Sequence, residues 1–176
     1  NCSEPVRAKS MGAFAEAFAD WGVRPEQCVA CYAMAETVFA VTQTPRGQAP
    51  ATARRAQLAG GAPALISFDL VDEVYVSSGA LLGGMAVRIV DPGTGADCAS
   101  WEPGEILLRA ESLFDGYWGA DGFTRHVFSS DGWYSTGDYG FLAAGELYVI
   151  GRLKDIVIVG GQNIFPEDVE AVVNTC

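Results

Sequence analysis

Basic side chains and long apolar runs are both scarce in this sequence. Its 176 residues include 11 Lys and Arg against 22 Asp and Glu, so the net charge is −11 with the single His neutral. We find no basic patch that could replace the counterions of a nucleic acid or bind an anionic membrane surface. No apolar run approaches the roughly 18 residues that a membrane-spanning helix needs. We therefore expect neither a nucleic-acid partner nor a membrane span.

The cysteines lack the pattern of a disulfide framework. Their number, five, is odd, and Cys28-x-x-Cys31 is the only close pair. As half of a metal site this pair lacks a second Cys or His pair, because His126 is the single histidine. The apolar residues around the pair favour ordinary buried thiols in a reducing, cytoplasmic setting. A redox or zinc site built on Cys28 and Cys31 is a weaker alternative.

Apolar residues, by contrast, are abundant. They make up 49% of the chain, against 19% charged residues, so a sizeable core can be buried. The chain opens on Asn1 without an initiator Met or a secretory signal. It stops at Cys176, inside what reads as a helix that has only begun. We expect a segment of a larger protein, with the remaining segments of that protein as partners.

The first third of the chain predicts a helix, a strand and an insertion. Residues 8–21 have helical apolar spacing, and Gly22 follows where the helix would end. We expect the apolar side of this helix to pack on the core; it carries Met11, Phe14, Phe18 and Trp21. A short buried strand at about 28–32 has the character of a parallel sheet. Residues 42–63 are interpreted as a surface insertion that is partly helical at 51–59.

Short strands separated by turn signals dominate from about residue 73 onward. The predicted strands are Glu73–Ser77, Ala86–Asp91, Glu105–Ala110, Glu146–Ile150 and Asp155–Val159. A boundary near Arg152–Asp155 precedes a Gly160-Gly161 turn and a helix opened by Pro166. The strand spacing is typical of a small antiparallel barrel or sheet. The predicted fold class is therefore α/β, with a mixed sheet plus a small antiparallel β-barrel or sheet.

Three short stretches carry side chains suited to a phosphorylated ligand. In Tyr32-Ala33-Met34-Ala35-Glu36-Thr37 a carboxylate follows an apolar strand, where α/β sheets place ligand-binding groups, and it could hold Mg²⁺ on a phosphate. In Ser135-Thr136-Gly137-Asp138 a carboxylate can accept both hydroxyls of a ribose. In Gly151-Arg152-Leu153-Lys154-Asp155 a guanidinium offers donors to phosphate or ribose oxygens. Taken singly, each has a plainer explanation: a solvated strand end, an Asp-containing turn and an ordinary loop.

Together and in this order, the three stretches resemble motifs of the adenylate-forming enzyme superfamily. That superfamily includes acyl-CoA synthetases, peptide-synthetase adenylation domains and fatty acyl-AMP ligases, and the resemblance covers essentially the whole chain. Tyr32–Glu36 is similar to its tyrosine-to-glutamate signature, Ser135–Asp138 to its ribose-binding motif and Gly151–Asp155 to its hinge motif. Its glycine-glutamate and glycine-tyrosine-tryptophan elements are matched by Gly104-Glu105 and Gly116-Tyr117-Trp118.

The resemblance implies a role for each of these side chains. Tyr32 would stack on adenine, while Glu36 would position ATP and ligate Mg²⁺. Asp138 would hold the ribose hydroxyls, Arg152 would bond ribose or phosphate oxygens, and Lys154 would be the hinge position. The nucleotide-binding positions implied in this way are Ser3, Glu4, Pro5, Tyr32, Ala33, Met34, Ala35, Asp138 and Arg152. The implied cofactors are ATP or AMP and Mg²⁺.

Two features favour the fatty acyl-AMP ligases within the superfamily. Asn1–Arg7 resembles their asparagine-glycine-alanine-glutamate-proline stretch, although its second and third residues depart from that pattern. The long connection from Glu36 to Gly79 places residues 42–63 where these ligases carry an extra insertion. The resemblance thus points to a carboxylic acid, and to a fatty acid in particular, as the substrate.

The same resemblance implies a division of the chain at the hinge. Residues 1–152 would be the C-terminal portion of an AMP-binding domain, and residues 153–176 the hinge and the start of a mobile C-terminal lid domain. The phosphate-binding loop of the superfamily would precede residue 1, and its catalytic lysine would follow residue 176. This chain would then hold only part of an active site and would be inactive by itself.

The implied activity of the intact protein is ATP-dependent formation of acyl-AMP, followed by transfer of the acyl group. The acceptor would be the phosphopantetheine thiol of an acyl or peptidyl carrier protein. An acyl- or aryl-CoA ligase of the same superfamily, with CoA as the acceptor, is the nearest alternative. A remnant of this fold that binds a nucleotide or a partner without catalysis is the alternative from another class.

Overall fold

A computed structural model describes residues 6–54, 57–58, 74–159 and 162–173 of the chain. Within them lie helices α1 (Ala8–Ala17), α2 (Asp121–Val127) and α3 (Pro166–Val173). The strands are β1 (Cys31–Ala33), β2 (Ala40–Gln43), β3 (Thr52–Arg54), β4 (Val74–Val76), β5 (Ala80–Leu81), β6 (Met85–Val90), β7 (Gly104–Ala110), β8 (Tyr134–Ala143), β9 (Glu146–Arg152), β10 (Val157–Val159) and β11 (Gln162–Ile164). Short 3₁₀ turns lie at Ala19–Trp21, Pro25–Gln27, Ala35–Thr37 and Leu153–Asp155. None of the described helices is long and apolar enough to cross a bilayer.

Helix α1 forms where the apolar spacing predicts it, but it is shorter than expected. It ends at Ala17, and a 3₁₀ turn continues the chain to Gly22, whose φ of +83° closes the segment. The expected packing of its aromatic side chains on the core is wrong: Phe14 is 53% exposed, Phe18 43% and Trp21 78%. Helical spacing shows which side of a segment is apolar, but not whether a neighbour covers that side.

Seven strands form one sheet in the order β1-β2-β5-β9-β8-β7-β6, with β1 and β6 at its edges. Every pairing among the described strands is antiparallel. The predicted α/β class with an antiparallel sheet is confirmed, and the described strands form an open sheet rather than a closed barrel. The parallel character expected at 28–32 is wrong, because β1 pairs with β2 antiparallel. A short apolar run does not distinguish a parallel from an antiparallel strand, since strands of both kinds can be buried on both faces of a sheet.

Two further strand pairs lie outside this sheet. β3 pairs with β4, and β10 pairs with β11. The helix predicted at 51–59 is wrong at Thr52–Arg54, because these residues form β3 with the buried Ala53 between two exposed neighbours, as alternation in a strand requires. Residues 55–56 and 59–73, with the end of the predicted insertion, lie outside the described residues. The predicted Gly160-Gly161 turn lies outside them too.

The five strands predicted from residue 73 onward are all found, with ends that differ by at most two residues. Strand β8 was not predicted, although it is the longest of the described strands. Gly137, Asp138 and Gly140 interrupt its apolar pattern, and these residue types are depleted in strands. The local pattern therefore predicts no strand here, and the strand pairing with β7 and β9 overrides that local preference.

Alternate residues of β8 and β9 supply two apolar clusters, one on each face of the sheet. The first cluster includes Phe141, Tyr148 and Phe165, the last of which follows β11. The second cluster contains Tyr32, Val41, Ile89, Ile106, Leu108, Tyr134 and Leu147. Burial on both faces uses part of the high apolar content of the chain. The functional site described next borders the second cluster.

Candidate functional site

A cavity of about 500 Å³ lies where the three predicted stretches meet. Six of the predicted site residues line it, namely Ala33, Met34, Glu36, Asp138, Arg152 and Lys154. They come from the ends of β1 and β9, from the middle of β8 and from two 3₁₀ turns. The fold therefore brings together residues that are more than a hundred positions apart in the sequence.

The remaining predicted residues are placed differently. Tyr32 is only 8% exposed and lies behind the cavity wall, with its ring in the second apolar cluster. Ala35 is exposed on the turn after β1 and is not part of the wall. Ser3, Glu4 and Pro5 lie outside the described residues. The stacking of Tyr32 on adenine and the contacts of these three residues stay predictions.

Asp138 is a buried carboxylate held by neighbouring strands. Its Oδ2 accepts a hydrogen bond from the Tyr32 hydroxyl at 2.5 Å, and its Oδ1 pairs with Arg152 Nε at 3.1 Å. Register explains the second contact, since β8 and β9 place Asp138 directly opposite Arg152. An ionised carboxylate has about four acceptor positions, so hydroxyls of a ligand can be accepted beside these two partners.

Burial decides the protonation behaviour of this pair. Burial raises the pKa of the Asp138 carboxyl, and the hydrogen bond from Tyr32 and the charge of Arg152 offset that rise only in part. Burial, followed by the charge of Asp138, holds the pKa of Tyr32 well above its usual range. The Tyr32 hydroxyl therefore keeps its proton and acts as a donor to Asp138. This contact is one that sequence reasoning missed.

Two exposed cationic side chains line the cavity. Arg152 ends β9 and its side chain is 58% exposed, while Lys154 lies exposed on the following 3₁₀ turn. Their positive charge stands out in a chain of net charge −11. A guanidinium and an ammonium on the same cavity wall as the buried Asp138 carboxylate suit the oxygens of a phosphorylated ligand.

Glu36 lies on the 3₁₀ turn between β1 and β2, and a distant segment holds it there. Tyr117 Oη donates to Glu36 Oε1 at 2.6 Å, and the Tyr134 hydroxyl lies 3.0 Å from that of Tyr117. The Phe114 backbone N–H donates to the Glu36 carbonyl at 2.8 Å. Burial, strengthened by the bond to Glu36, raises the pKa of Tyr117, and burial likewise raises that of Tyr134. Both phenols therefore remain donors that orient the carboxylate.

The donor set at Glu36 fits a magnesium ion bound together with phosphates. Mg²⁺ is usually held by one or two carboxylates, while substrate phosphates and water supply its other ligands. In the described part of the chain, no group of three or more His, Cys, Asp or Glu is placed to hold a metal by itself. Cys28 and Cys31 are half-buried thiols and are not part of the cavity wall.

Among the other residues of the wall, Glu105, Tyr117, His126, Tyr134 and Thr136 were not individually predicted to have a role. Glu105 and Tyr117 belong to the glycine-glutamate and glycine-tyrosine-tryptophan elements, and this is the signal that could have found them. Thr136 lies inside the predicted ribose-binding stretch. His126 lies on α2 and carries no sequence signal beyond being the single histidine.

The AMP-binding enzyme family matches residues 1–118 of the chain. A relative from Mycobacterium tuberculosis, fadD25, is named as a fatty-acid–CoA ligase; it is 34% identical over 198 residues, covering 99% of this chain and 32% of that protein. JamA of Moorena producens is named as a medium-chain-fatty-acid–[acyl-carrier-protein] ligase; it is 33% identical over 187 residues, covering 98% of this chain and 31% of that protein.

Comparison with solved structures indicates the same family as these relatives. A structure from work on the fatty acyl-adenylate ligases of E. coli and L. pneumophila matches with a TM-score of 0.84 at 28% identity, covering 99% of this chain and 32% of that one. The chain thus spans about a third of the length of the proteins it matches. The resemblance drawn from the motifs is confirmed, and the chain belongs to the AMP-binding enzyme family of the adenylate-forming superfamily.

Proposed function

We propose that the protein carrying this chain activates a fatty acid by adenylation. An oxygen of the fatty-acid carboxylate bonds to the α-phosphorus of ATP as the bond to the β-phosphate breaks, which yields acyl-AMP and pyrophosphate. The single observation that carries the proposal is the cavity that collects Glu36, Asp138 and Arg152. The names of fadD25, JamA and the solved ligases support a fatty acid as the substrate.

Asp138 and Arg152 form the ribose end of the proposed site. The Asp138 carboxylate accepts the two ribose hydroxyls, while Tyr32 and Arg152 hold its oxygens in place. Burial strengthens these contacts because water competes for them less effectively. A fixed acceptor orders the nucleotide before reaction, so the α-phosphate meets the acid in a defined position.

Glu36 forms the phosphate end. Tyr117 and Tyr134 orient its carboxylate, and Lys154 and Arg152 add positive charge near the phosphates. Mg²⁺, when bound with ATP, neutralises phosphate charge and makes the α-phosphorus easier to attack. Positioning and electrostatic stabilisation supply the rate enhancement on this proposal, because no residue here needs to form a covalent bond.

A carrier-protein thiol is the proposed acceptor of the acyl group, which the name of JamA supports. The name of fadD25 favours CoA as a second candidate. We place the reaction in the cytoplasm, which the half-buried thiols of Cys28, Cys31 and Cys98 support, since thiols stay reduced there. Incubating the acylating protein with CoA and with a phosphopantetheinylated carrier protein, separately, decides between the acceptors by which thiol becomes acylated.

Pyrophosphate exchange into ATP tests adenylation itself. In the native protein that carries this chain, Glu36→Ala should lower fatty-acid-dependent exchange by about 100-fold or more, as loss of one electrostatic group at a reacting centre does. Glu26→Ala is the matched control, because Glu26 also occupies the middle of a three-residue 3₁₀ turn but does not line the cavity.

The outcomes separate the proposal from its rivals. Exchange that survives Glu36→Ala at the level of Glu26→Ala would overturn the assigned role of Glu36. A wild-type protein that binds AMP by calorimetry but catalyses no exchange with any fatty acid would favour the binding-module alternative instead.

A further inference from the structure

Strand β8 contains a bulge within the stretch that resembles a ribose-binding motif. In the pairing of β8 with β7, Tyr139 lies opposite Glu105. Ser135 lies opposite Leu107, so four steps along β8 are matched by only two steps along β7. Residues 136–138 therefore lie opposite a single residue of β7. A bulge bends its strand and re-aims the side chains beside it, and bulges are frequent next to active sites.

One hydroxyl joins the backbones of the two strands at this bulge. Thr136 Oγ1 accepts the backbone N–H of Asp138 at 2.9 Å and donates to the backbone carbonyl of Ile106 at 2.8 Å. Ile106 is the residue of β7 that the register passes over without a partner on β8. The hydroxyl thus links the strands at the position where their regular pairing is interrupted.

The second of these bonds distinguishes the arrangement from an ordinary turn. A threonine hydroxyl that accepts an N–H from two residues further along is common in turns. Here the same hydroxyl is also bound to a different strand, which fixes the turn relative to β7. Asp138 is only 6% exposed, and a buried N–H that loses its acceptor costs free energy.

Asp138 is therefore held at both of its ends. Tyr32 and Arg152 contact the carboxylate oxygens, whereas Thr136 holds the backbone N–H of the same residue. Because the side chain of an aspartate is short, its carboxylate follows a displacement of its backbone. The geometry of a binding group has to be kept within about 0.5 Å to be productive, so the backbone contact matters as much as the carboxylate contacts.

We propose that Thr136 is a positioning residue, whose hydroxyl joins the Asp138 amide to the Ile106 carbonyl and so holds the Asp138 carboxylate in place for the ribose hydroxyls. The inference rests on the proposed function, because it concerns how the site recognises a ribose. It assigns Thr136 no hydrogen bond to the nucleotide as a donor, since the single proton of its hydroxyl is donated to Ile106.

Comparing two nucleotides measures positioning directly. Calorimetry on the native protein gives the affinities for AMP and for 2′,3′-dideoxyadenosine 5′-monophosphate, which lacks both hydroxyls. The wild-type protein should prefer AMP. Thr136→Val removes the hydroxyl at nearly constant side-chain volume and should reduce that preference by about tenfold, equivalent to about 1.4 kcal/mol. The affinity for the dideoxy nucleotide should change by less than about twofold, since it has no ribose hydroxyl to donate to Asp138.

Two further variants separate positioning from general damage. Thr136→Ser keeps the hydroxyl, so it should retain most of the preference for AMP. Thr44→Val is the matched control, because the Thr44 hydroxyl also accepts a backbone N–H and donates to a backbone carbonyl, both of Ala30, at 3.0 and 3.1 Å. Thr44 does not line the cavity, so this variant should leave the preference for AMP unchanged.

A reduced preference for AMP in Thr136→Val, together with its retention in Thr136→Ser and in Thr44→Val, is the supporting result. Equal loss of both nucleotides in Thr136→Val, an unchanged preference, or the same reduction in either of the other two variants would overturn the inference while leaving the proposed function intact. A wild-type protein that does not distinguish the two nucleotides would overturn the proposed ribose site, and the inference with it.

A variant that does not fold leaves a second measurement. If Thr136→Val does not fold, Thr136→Ala is titrated with the same two nucleotides, since it removes the hydroxyl without adding a methyl group in its place. If neither variant folds while Thr136→Ser does, the hydroxyl is needed for the fold as a whole, and the positioning role is overturned.

Discussion

The two ends of the cavity use the same chemical group in different surroundings. At the end proposed for the ribose, Asp138 lies in the middle of a sheet and contacts Arg152 on the next strand. At the phosphate end, Glu36 lies on a turn and depends on Tyr117, which is 81 positions away in the sequence. The ribose end is therefore built into the strand ladder, whereas the phosphate end is assembled by tertiary packing.

The two ends also differ in the residue that occupies a positive-φ position of the backbone. Next to Asp138, Gly137 has a φ of +70°; two residues after Glu36, Val38 has a φ of +71°. Glycine occupies this region freely, whereas a β-branched residue there is a genuine outlier. Backbone strain thus accompanies the phosphate end and is absent from the glycine of the ribose end, and strained residues of this kind cluster at ligand sites and switch regions.

The largest expected effect is a difference in AMP affinity between variants of the two carboxylates. Asp138→Ala should weaken AMP binding without Mg²⁺ by about 100-fold, because two hydrogen bonds to a charged acceptor are worth about 3 kcal/mol or more. Glu36→Ala should weaken AMP binding far less, since Glu36 is proposed to act through Mg²⁺, which this titration leaves out. Calorimetric titration of both variants with AMP is the measurement, and equal losses would contradict the division into two ends.

A smaller effect is expected from placing glycine at the positive-φ position after Glu36 and a larger residue at the positive-φ position before Asp138. Val38→Gly should raise the free energy of unfolding by about 1 kcal/mol, because the relieved strain of about 1–3 kcal/mol exceeds the entropic cost of glycine. Val38 is 80% exposed, so little packing is lost. Gly137→Ala should lower the free energy of unfolding by about 1–2 kcal/mol, although nothing lies within 4 Å of an added Cβ.

Urea unfolding of the native protein, followed by tryptophan fluorescence, measures both changes. Gly47→Ala is a control for the positive-φ penalty at a site away from the cavity, since Gly47 has a φ of +78° and equally open surroundings. Destabilisation by Val38→Gly would show that the turn after Glu36 is not strained.

The smallest expected effect is a change in the pH dependence of stability. Burial raises the pKa of Asp138, so its contribution to stability is present at low pH and is lost as pH rises through the folded-state pKa. The hydroxyl and backbone N–H of Thr94 lower the pKa of Asp91, so the Asp91 contribution runs the other way. As pH increases from about 4 to 7, melting temperatures of Asp138→Asn should rise relative to wild type. As pH increases from about 2 to 4, those of Asp91→Asn should fall relative to wild type, because a lowered pKa acts below the unfolded value of about 3.9. Matching slopes for both variants would contradict the assigned burial of Asp138.

Local pattern was sufficient to predict the five strands from residue 73 onward, and it singled out Glu36 and Asp138, which both line the cavity. It failed at β8, because Gly137 and Gly140 look like turn residues until the neighbouring strands supply hydrogen-bond partners. It failed at the helix aromatics Phe14 and Trp21, because exposure depends on neighbours that helical spacing does not describe. The contact of Tyr117 with Glu36 was missed for a similar reason, since it joins two segments that are far apart in the sequence.

The sequence by itself determined the family, the position of Glu36 and Asp138, and an excess of apolar residues large enough to cover both faces of a sheet. Only the tertiary structure decided that the strands pair antiparallel, that Tyr32 donates to Asp138 and that Tyr117 donates to Glu36. The physical reason is the range of the interactions. Alternation and turn preference act within a few residues, whereas a hydrogen bond between side chains 81 or 106 positions apart exists only after the chain has folded.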